Sequence, residues 1–510
     1  MTLVVVPLAH ATVAALLADS LRAQTAGADL VEWRLDTAIQ LGAEPGAVLA
    51  AIRQSPLPVV LTIRHASEQG DWTGPEAERF ALFHAADQAG AAYLDIELAQ
   101  DQGWRPVHAR LILSSHDFVG MGQDLSATLA EMERRGAIGK IAVTARDAAD
   151  LALVRSVLQE QPGKRIVLAM GEHGLPSRVL AGVWGAFLTF ARLPEQQGSA
   201  PGQPSVTDLV GMYRLHQQQP TWQVFGVIGS PIAHSLSPLI HNAALAAQQI
   251  PAVYVPFRVE SPREFWQACQ SWISGISITI PHKQELMLAV DDLDPLARSI
   301  GAMNTIARVP VGQRHGRTVG VNTDAAAIIA CVEGGLGGSV AGKRVLCLGA
   351  GGVARAVAHA LASRGARLAI TNRTAERAIQ LAAEVGAQAL TEAEALAWQF
   401  EVLINGTAVG MGKPQETPWP ATHQRAGTVV FDTVYTPLET RFLREAQAAG
   451  AAIIPGLEMF IHQAAEQYRR FTGNAAPHAV MRAAALARLA PAPAPVPVPV
   501  PAPAPAPASV

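Results

Sequence analysis

The sequence predicts an α/β protein in which an N-terminal (β/α)8 barrel precedes a second α/β region with a doubly wound, Rossmann-type domain. Two observations predict this fold class. Eight short apolar segments recur about every two to three dozen residues within the first 195 residues, with segments of helical spacing between them. Later in the chain, residues 344–357 have the sequence RVLCLGAGGVARAV, an apolar run that closely spaced glycines interrupt before helical spacing resumes.

The predicted barrel strands are apolar and contain many β-branched residues, whereas residues 77–88 and 148–159 between them have helical spacing. Strands that alternate with helices in this way are typical of βαβ units. We predict a last barrel helix over residues 207–216 and the end of the barrel near Pro220. The eight predicted strands span residues 3–9, 30–35, 58–63, 91–98, 110–113, 138–144, 165–170 and 186–191.

Ionisable residues close five of these strands or lie within them. Barrel enzymes build their active sites at the C-terminal ends of the strands, so this pattern predicts a catalytic site. Each residue taken alone is equally consistent with a solvated loop charge or a structural ion pair. Glu32, Arg34 and Asp36 close the second strand, Arg64 closes the third, Asp95 and Glu97 close the fourth, His116 closes the fifth, and Lys140 lies in the sixth.

Lys140 lies in an otherwise apolar strand with the sequence GKIAVTA. Burial disfavours the charged ammonium form, and a neutral lysine amine is a nucleophile that can form a Schiff base with a ketone. The alternative is a lysine whose side chain extends out of the bottom of the barrel into water. His116 is the natural proton carrier for such a site near neutral pH.

Six separated motifs across residues 2–215 resemble the type I 3-dehydroquinate dehydratases, namely EWRLD, LTIRHASE, SSHDF, GKIAV, LPSRV and SAPGQ. The resemblance implies that Lys140 forms the Schiff base, that His116 removes the proton on the neighbouring carbon and helps to expel the hydroxyl as water, and that Glu68 orients His116. It also implies that Arg178 pairs with the substrate carboxylate. The other residues implied to hold the substrate are Glu32, Arg34, Arg64, Ser199 and Gln203.

Residues 223–487 resemble the shikimate dehydrogenases through a series of motifs in the family's order, including GSPIAHSLSP, TIPHK, GAMNT, GVNTD and INGTA. The resemblance implies that Lys283 and Asp324 form the catalytic pair. A ketone that accepts hydride needs a proton on its oxygen, which Lys283 can supply while Asp324 holds it. The alternative is an ordinary surface ion pair. The residues implied to bind substrate carboxylate and hydroxyls are Ser235, Ser237, Thr279, Asn304, Tyr435 and Gln463.

The glycine turn is expected to bind a dinucleotide, because its glycines let the backbone approach a pyrophosphate at a helix N-terminus. The following strand ends without a carboxylate until Glu376, and Arg373 can pair with a 2′-phosphate, so the sequence predicts NADP. The alternative for Arg373 is a solvated residue at the start of a helix. The predicted cofactor residues are Gly349, Ala350, Gly351, Gly352, Val353, Ala354, Asn372, Arg373, Thr374 and Gly456.

Three positions depart from the patterns of the two families. Gln69 stands where the dehydratases usually have a second glycine, which puts the closure of that loop in question. His282 replaces an aromatic residue that is common before the catalytic lysine. Gly406, in INGTA, occupies the place of the usual alanine, so the loop near the nicotinamide is expected to differ in detail.

Composition excludes several classes of protein. Only 16% of residues are charged and the net charge is -3, so neither nucleic acid nor an anionic membrane is predicted as a partner. The apolar N-terminus lacks the basic region of a signal peptide, and no apolar run has the length of a membrane span. The three cysteines lack metal-ligand spacing, which predicts a cytoplasmic location and no metal site. The partners expected are small-molecule substrates, with no prediction for the oligomeric state.

We expect a dehydratase barrel over residues 1–218, a dehydrogenase substrate domain over 222–340, an NADP-binding domain with returning C-terminal helices over 341–489, and a disordered, extended Pro/Ala-rich tail over 490–510. The predicted activity is dehydration of 3-dehydroquinate followed by NADPH-dependent reduction to shikimate. One alternative is a dehydrogenase that prefers quinate. Another is a dehydrogenase with a catalytically idle barrel that serves as a binding module.

Overall fold

The computed structural model describes residues 1–122, 124–160, 163–196, 198, 202–311 and 316–489. Ser199 and the tail over residues 490–510 therefore lie outside the described residues. The described strands form one eight-stranded sheet and two six-stranded sheets. Among the described helices, none combines the length and apolar character needed to span a bilayer.

The first sheet is the predicted barrel, with every adjacent pair parallel and β1 paired to both β2 and β8. Between β7 and β8 the Phe187 N–H donates to the Arg165 carbonyl at 2.8 Å, in place of a regular ladder. Its strands are β1 (Leu3–Leu8), β2 (Leu30–Arg34), β3 (Val59–Thr62), β4 (Tyr93–Glu97), β5 (Arg110–His116), β6 (Ile138–Thr144), β7 (Arg165–Met170) and β8 (Leu188–Phe190).

The barrel helices pack outside this sheet and bury their apolar faces in one large cluster with the outer faces of the strands. The α-helices are α1 (Val13–Thr25), α2 (Leu35–Gln40), α3 (Pro45–Ala50), α4 (Glu76–Ala89), α5 (Leu125–Arg134), α6 (Leu151–Gln159), α7 (Leu175–Val179) and α8 (Ala181–Trp184). Short 3₁₀ segments span Ile52–Gln54, Ala66–Glu68, Leu98–Gln100 and Ala148–Asp150.

The prediction of one helix over residues 207–216 is wrong. The chain forms a π-helix at Asp208–Met212 and a 3₁₀ turn at Leu215–Gln217. Arg214 between them has a φ of 52°, a left-handed conformation that a right-handed helix cannot include. The Arg214 guanidinium donates to the carbonyls of Ile250 and Ala252 at 3.1 and 2.8 Å, so this turn ties the end of the barrel to the next domain.

The second sheet is mixed, because β13 runs antiparallel to both β11 and β14 while the other pairs are parallel. Its order is β10-β9-β11-β13-β14-β12. The strands are β9 (Gln223–Gly229), β10 (Ala252–Arg258), β11 (Gly275–Ile278), β12 (Asp292–Leu293), β13 (Thr305–Val309) and β14 (Arg317–Val321). The helices are α9 (Ser237–Ala247), α10 (Pro262–Cys269), α11 (Pro295–Ile300) and α12 (Thr323–Leu336).

The third sheet is wholly parallel and confirms the Rossmann prediction, because its order β17-β16-β15-β18-β19-β20 is the doubly wound 3-2-1-4-5-6. The strands are β15 (Arg344–Leu348), β16 (Arg367–Thr371), β17 (Gln388–Ala389), β18 (Val402–Asn405), β19 (Val429–Asp432) and β20 (Ala452–Ile454). The helices are α13 (Gly352–Ser363), α14 (Ala375–Val385), α15 (Glu392–Ala397), α16 (Arg441–Ala448), α17 (Gly456–Thr472) and α18 (His478–Leu489), and a 3₁₀ turn spans Ala421–His423.

Two packing arrangements join these sheets. Helices α17 and α18 return to the second sheet, where Tyr468 and Met481 share an apolar cluster with Phe225. The barrel and the second sheet share another cluster, in which Trp184 meets Trp272 edge to face with ring centroids 5.5 Å apart. A buried apolar contact of this kind holds two domains in a fixed relative position, because opening it would expose apolar surface to water.

Candidate active sites

The charged side chains predicted at the barrel strand ends converge on one cavity of about 160 Å³. The parallel register explains this, since it pairs Thr62 with Asp95 and Ser114 with Lys140 across neighbouring strands. Gln203 is not in the cavity wall, and its side-chain amide donates to the Ala191 carbonyl at 2.9 Å. The predicted residues that line the cavity are Glu32, Arg34, Arg64, Glu68, His116, Lys140 and Arg178.

Lys140 points into this cavity, so the alternative of a side chain leaving the barrel bottom is wrong. Its Nζ donates to Asp95 Oδ2 at 2.7 Å, lies 3.9 Å from Glu32 Oε1 and sits 4.5 Å from the centre of the Phe190 ring. Burial alone would raise the pKa of Asp95, but Arg64 and Lys140 beside it hold that pKa well below its usual range. The Lys140 amine is therefore buried and also in direct contact with a carboxylate.

Arg64 organises the carboxylates at the centre of the site. Its Nη1 donates to Ser114 Oγ at 2.7 Å and its Nη2 donates to Asp95 Oδ1 at 2.9 Å. Arg64 Nη1 also lies 3.2 Å from Glu97 Oε1. Glu97 forms a second ion pair with the buried Arg79. Arg34 is likewise engaged, with its Nη2 at 2.7 Å from Asp36 Oδ2. Both arginines are therefore positioned by neighbouring carboxylates or hydroxyls before any substrate arrives.

His116 and Glu68 form the predicted pair, with His116 Nδ1 at 2.7 Å from Glu68 Oε2. Burial raises the pKa of Glu68 to about 7, although the cation of Arg64 opposes the shift. Burial, together with Arg64 and Lys140, lowers the pKa of His116 well below its usual value. The imidazole is therefore neutral near pH 7, which is the state that can accept a proton.

The loop that carries Glu68 keeps its turn despite the missing glycine. Gln69 adopts φ 56° and ψ 31°, the left-handed conformation that glycine occupies without strain. Its side chain lines the cavity beside His116. The substitution therefore keeps the turn, at the cost of a less favoured backbone conformation for a residue with a Cβ.

Arg178 is a buried cation that forms no salt bridge with any residue that the structure describes. Its side chain lines the cavity, and its Nε has no hydrogen-bond partner among the described residues. Burial lowers the pKa of its guanidinium to about 10. An uncompensated buried charge is costly, so this position favours an anionic ligand group in the cavity.

The second site is a cavity of about 360 Å³ between the second sheet, α12 and α17. Lys283 Nζ donates to Asp324 Oδ2 at 2.7 Å, and Asp324 lies in the first turn of α12, where the helix N-terminus favours a carboxylate. This pair forms part of the cavity wall and not of the outer surface. The predicted residues that line the cavity are Ser235, Ser237, Thr279, Lys283, Asn304, Asp324, Tyr435 and Gln463.

Sequence reasoning missed Gln467 in this cavity. Gln467 is 2% exposed, its Nε2 donates to Thr305 Oγ1 at 3.1 Å, and its Oε1 has no partner among the described residues. The signal was available, because Gln467 follows Gln463 by four residues on α17 and so lies on the same helix face. Ser277, which accepts a hydrogen bond from Tyr254 at 2.7 Å, is a further lining residue that was missed.

The glycine turn opens a cleft of about 890 Å³ along the Rossmann sheet. Gly349 has a φ of 106°, and a Cβ added at Gly351 or Gly352 would meet nothing within 4 Å, which leaves room for a dinucleotide. Ala354 is buried, and a Cβ at Gly406 would come within 2.9 Å of it, so helix and strand pack closely there. The small residues at these two positions therefore allow the close packing of this turn.

Five of the ten predicted cofactor residues line one of the two cavities, and Ala354 is among the five that line neither. Val353 and Gly456 line the substrate cavity, so they lie where a nicotinamide would meet the substrate. Thr374 caps α14, and its carbonyl accepts from Asn372 Nδ2 at 2.9 Å. Ala350, Gly351, Gly352 and Thr374 are not among the lining residues of the cleft. The predicted residues that line the cleft are Gly349, Asn372 and Arg373.

A barrel with a buried, carboxylate-paired lysine beside a histidine, followed by a mixed-sheet domain with a Lys/Asp pair and by a Rossmann domain, defines a two-enzyme chain of the lyase and dehydrogenase classes. Family models support both halves. Residues 4–220 match type I 3-dehydroquinase and residues 227–306 match the shikimate dehydrogenase substrate binding domain. Residues 334–411 match shikimate / quinate 5-dehydrogenase, and residues 456–486 match the shikimate 5'-dehydrogenase C-terminal domain.

Individual proteins also match this chain, over most of its length or over its second half. The chloroplastic bifunctional 3-dehydroquinate dehydratase/shikimate dehydrogenase of Arabidopsis thaliana is 38% identical over 503 residues, which cover 93% of this chain and 83% of that protein. The shikimate dehydrogenase (NADP(+)) of Symbiobacterium thermophilum is 41% identical over 285 residues, 52% of this chain and 95% of that protein. The crystal structure of a shikimate dehydrogenase in complex with NADP+ matches with 33% sequence identity and a TM-score of 0.50. The match covers 54% of this chain and 98% of the crystallised chain. The chain belongs to the family of bifunctional 3-dehydroquinate dehydratase/shikimate dehydrogenases.

Proposed function

We propose that this chain catalyses two consecutive steps of the shikimate pathway. The barrel dehydrates 3-dehydroquinate to 3-dehydroshikimate, and the second half reduces that product to shikimate with NADPH. The observation that carries the proposal is the pairing of Lys140 with Asp95 in one cavity with the His116 and Glu68 pair, in a chain whose other half carries Lys283 and Asp324. Family membership supports the same activities.

In the barrel, the Lys140 ammonium releases one proton and the resulting amine attacks the substrate ketone. The hydroxyl of the carbinolamine takes up that proton and leaves as water, which gives a protonated iminium. His116, neutral near pH 7 and oriented by Glu68, removes the proton on the neighbouring carbon, because the iminium delocalises the electrons left behind. The same imidazolium then returns its proton to the departing hydroxyl, which leaves as water. Hydrolysis of the iminium releases the product and restores Lys140.

Substrate binding in the barrel follows from the charges of the cavity. Arg178, without a partner at its Nε, pairs with the substrate carboxylate. Glu32 accepts from Thr62 Oγ1 at 2.8 Å and can accept from a substrate hydroxyl with its other oxygen. Arg34, Arg64, Ser199 and Gln203 complete the proposed set, although Gln203 would have to exchange its bond to the Ala191 carbonyl for one to substrate.

In the second cavity, Lys283 donates a proton to the carbonyl oxygen of 3-dehydroshikimate as that oxygen gains negative charge, while Asp324 holds the ammonium in place. NADPH, when bound, supplies the hydride for this reduction. Its diphosphate would lie on the turn from Gly349 to Ala354, and Arg373, exposed and without a partner among the described side chains, would meet the 2′-phosphate with Asn372 and Thr374. The proposed substrate ligands are Ser235, Ser237, Thr279, Asn304, Tyr435 and Gln463.

The proposed division of the chain is residues 1–218, 222–340, 341–489 and 490–510, with the cytoplasm as its place of action. The cytoplasmic location is supported by three buried cysteines, all of them free. A preference for quinate over shikimate is the second candidate, because the model matched by residues 334–411 describes both substrates. Comparing kcat/KM for oxidation of shikimate and quinate separates the two. An idle barrel is disfavoured by the contacts among its catalytic residues.

The direct test is to give the purified chain 3-dehydroquinate and NADPH and to analyse the products by chromatography. We expect shikimate, formed with one NADPH consumed per molecule. Accumulation of 3-dehydroshikimate would contradict the proposal for the dehydrogenase half. Unchanged 3-dehydroquinate would contradict the proposal for the barrel.

A further inference from the structure

The barrel contacts the dehydrogenase at a four-residue segment, residues 258–261, which begins at the last residue of β10 and is called the strap below. Glu172 of the barrel accepts from Arg258 Nη1 at 2.7 Å, and His173 Nδ1 lies 3.1 Å from the Arg258 carbonyl. Asp147 of the barrel accepts from the backbone N–H of Glu260 at 2.9 Å and from that of Ser261 at 3.4 Å. These barrel residues follow β6 and β7, so the catalytic end of the barrel faces the strap.

The same strap also holds the loop that carries Lys283. His282, 2% exposed, places its Nε2 at 2.7 Å from the Val259 carbonyl and its Nδ1 at 2.9 Å from the Glu285 carboxylate. A carbonyl oxygen can only accept, so His282 Nε2 is the donor in the contact with Val259. His282 directly precedes Lys283, whose own carbonyl accepts from the Met303 N–H at 2.9 Å.

The strap also contacts a second part of the substrate cavity, the turn that contains Ser230. Glu260 Oε1 accepts from Ser230 Oγ at 2.9 Å, and Ser230 directly precedes Pro231 in the cavity wall. The Ser230 N–H donates to the Ile280 carbonyl at 3.3 Å, which joins this turn to the loop before Lys283. The edge-to-face contact of Trp184 with Trp272 keeps the neighbouring interface apolar and buried. The strap is therefore bonded to the barrel, to the Lys283 loop and to the Ser230 turn.

We propose that His282 is a positioning residue of the dehydrogenase, and that the barrel, through Asp147 and Glu172 on the strap, contributes to the placement of Lys283. The inference rests on the proposed role of Lys283 as proton donor. A displacement of about 1 Å in a catalytic group can cost on the order of 100-fold in rate, so loss of the hydrogen bond between His282 and the Val259 carbonyl should have a measurable effect on turnover. The barrel thereby acts on the second reaction without touching its substrate.

The test uses the full chain with His282→Phe and, separately, Asp147→Asn, and measures reduction of 3-dehydroshikimate by NADPH. We expect His282→Phe to lower kcat on the order of 10-fold or more and Asp147→Asn to lower it about 3-fold, with KM within about 2-fold of wild type. The solvent deuterium isotope effect on kcat should rise in both variants, because proton delivery becomes slower. His282→Gln, whose amide can donate to the Val259 carbonyl, should recover part of the lost kcat.

Asp124→Asn is the matched control, because Asp124 also caps a barrel helix, accepting from the Ala127 N–H at 2.9 Å, but it has no contact with the strap. Asp124→Asn should leave kcat for reduction unchanged. All variants should keep wild-type dehydration activity and NADPH binding, and these two measurements report on folding. The double variant His282→Phe with Asp147→Asn should be no slower than His282→Phe alone, since both act through the strap.

Several outcomes would overturn the inference: wild-type kcat in both single variants, a rise in KM at unchanged kcat, or losses that multiply in the double variant. If His282→Phe does not fold, Asp147→Asn alone decides, since it lies in the barrel. A wild-type chain that does not reduce 3-dehydroshikimate would contradict the proposed function itself, which is a distinct result from any difference between variants.

Discussion

The two active sites use a lysine in opposite surroundings. Lys140 lies on a barrel strand with a side chain only 5% exposed and a carboxylate at 2.7 Å in a cavity of about 160 Å³. The Lys283 side chain lies in a loop, is 31% exposed, and enters a cavity of about 360 Å³ lined by neutral polar and apolar groups. A nucleophilic lysine has to be held out of water and fixed by rigid strands. A lysine that donates a proton in each turnover has to meet solvent to be recharged.

The largest expected effect comes from the substitution of the buried lysine. Lys140→Ala should lower dehydration on the order of 10⁴-fold or more, because no other group can form the Schiff base. Reduction of 3-dehydroshikimate should stay intact, since Lys283 lies in a separate cavity. Borohydride added to the wild-type chain with substrate should trap an adduct on the peptide that contains Lys140. Continued dehydration without any mass increase on that peptide would refute the Schiff base.

The second effect concerns the pair of Lys283 and Asp324. Lys283→Ala and Asp324→Ala should each lower kcat for reduction on the order of 100-fold, the usual scale for a general acid and its partner. Dehydration should be unaffected in both variants. If KM rose while kcat stayed at the wild-type value, the pair would be a binding element and the proton donor would have to be sought elsewhere.

A third prediction uses the pH dependence of dehydration. The pKa of Glu68 is raised to about 7, so Glu68 gains a proton as the pH falls through about 7. A protonated Glu68 donates to His116 Nδ1, which moves the ring proton to Nε2 and removes the base. The rate should therefore fall below about pH 7, while protonation of His116 itself lies at lower pH.

Glu68→Gln is the variant that checks this assignment. It should lower dehydration about 10-fold and abolish the acid limb near pH 7, because the amide does not titrate. The pH profile of reduction, whose cavity contains neither residue, provides the internal control. An acid limb that persists near pH 7 in the variant would mean that another group is responsible for it.

The smallest expected effect is on cofactor choice. Arg373→Ala should weaken NADP binding about 10-fold and leave NAD binding nearly unchanged, because only NADP carries the 2′-phosphate that a guanidinium can meet. Titration of the two cofactors by quenching of protein fluorescence measures both affinities. Equal kcat/KM values for NADP and NAD in the wild-type protein would show that the turn does not select the phosphate.

The sequence predicted those features that depend on local chemistry or on strand order. The barrel, the Rossmann order and the Lys283 and Asp324 contact follow from patterns within single segments or from family motifs. The contact of Lys140 with Asp95 was not predicted, because it depends on the register of strands 45 residues apart. Gln467 was missed because α17 has to return to the second sheet before its side chain can reach the cavity.

The interdomain contacts could not be predicted from the sequence either, because they join residues that are far apart along the chain. Asp147 looks like an ordinary helix cap, and it does accept from the Ala149 N–H at 2.9 Å. Its other oxygen meets Glu260, 113 residues away, only because the two domains dock through Trp184 and Trp272. Arg214 shows a similar effect, since its left-handed conformation ends the predicted helix and lets its side chain reach the next domain.

Complementation between single-site variants tests most directly whether one chain carries two independent active sites. With 3-dehydroquinate and NADPH, Lys140→Ala alone should leave the substrate unchanged, and Lys283→Ala alone should accumulate 3-dehydroshikimate. An equimolar mixture of the two variants should form shikimate, because each supplies the site that the other lacks. Shikimate formation by Lys140→Ala alone, or its absence from the mixture while each variant keeps its remaining activity, would contradict the account.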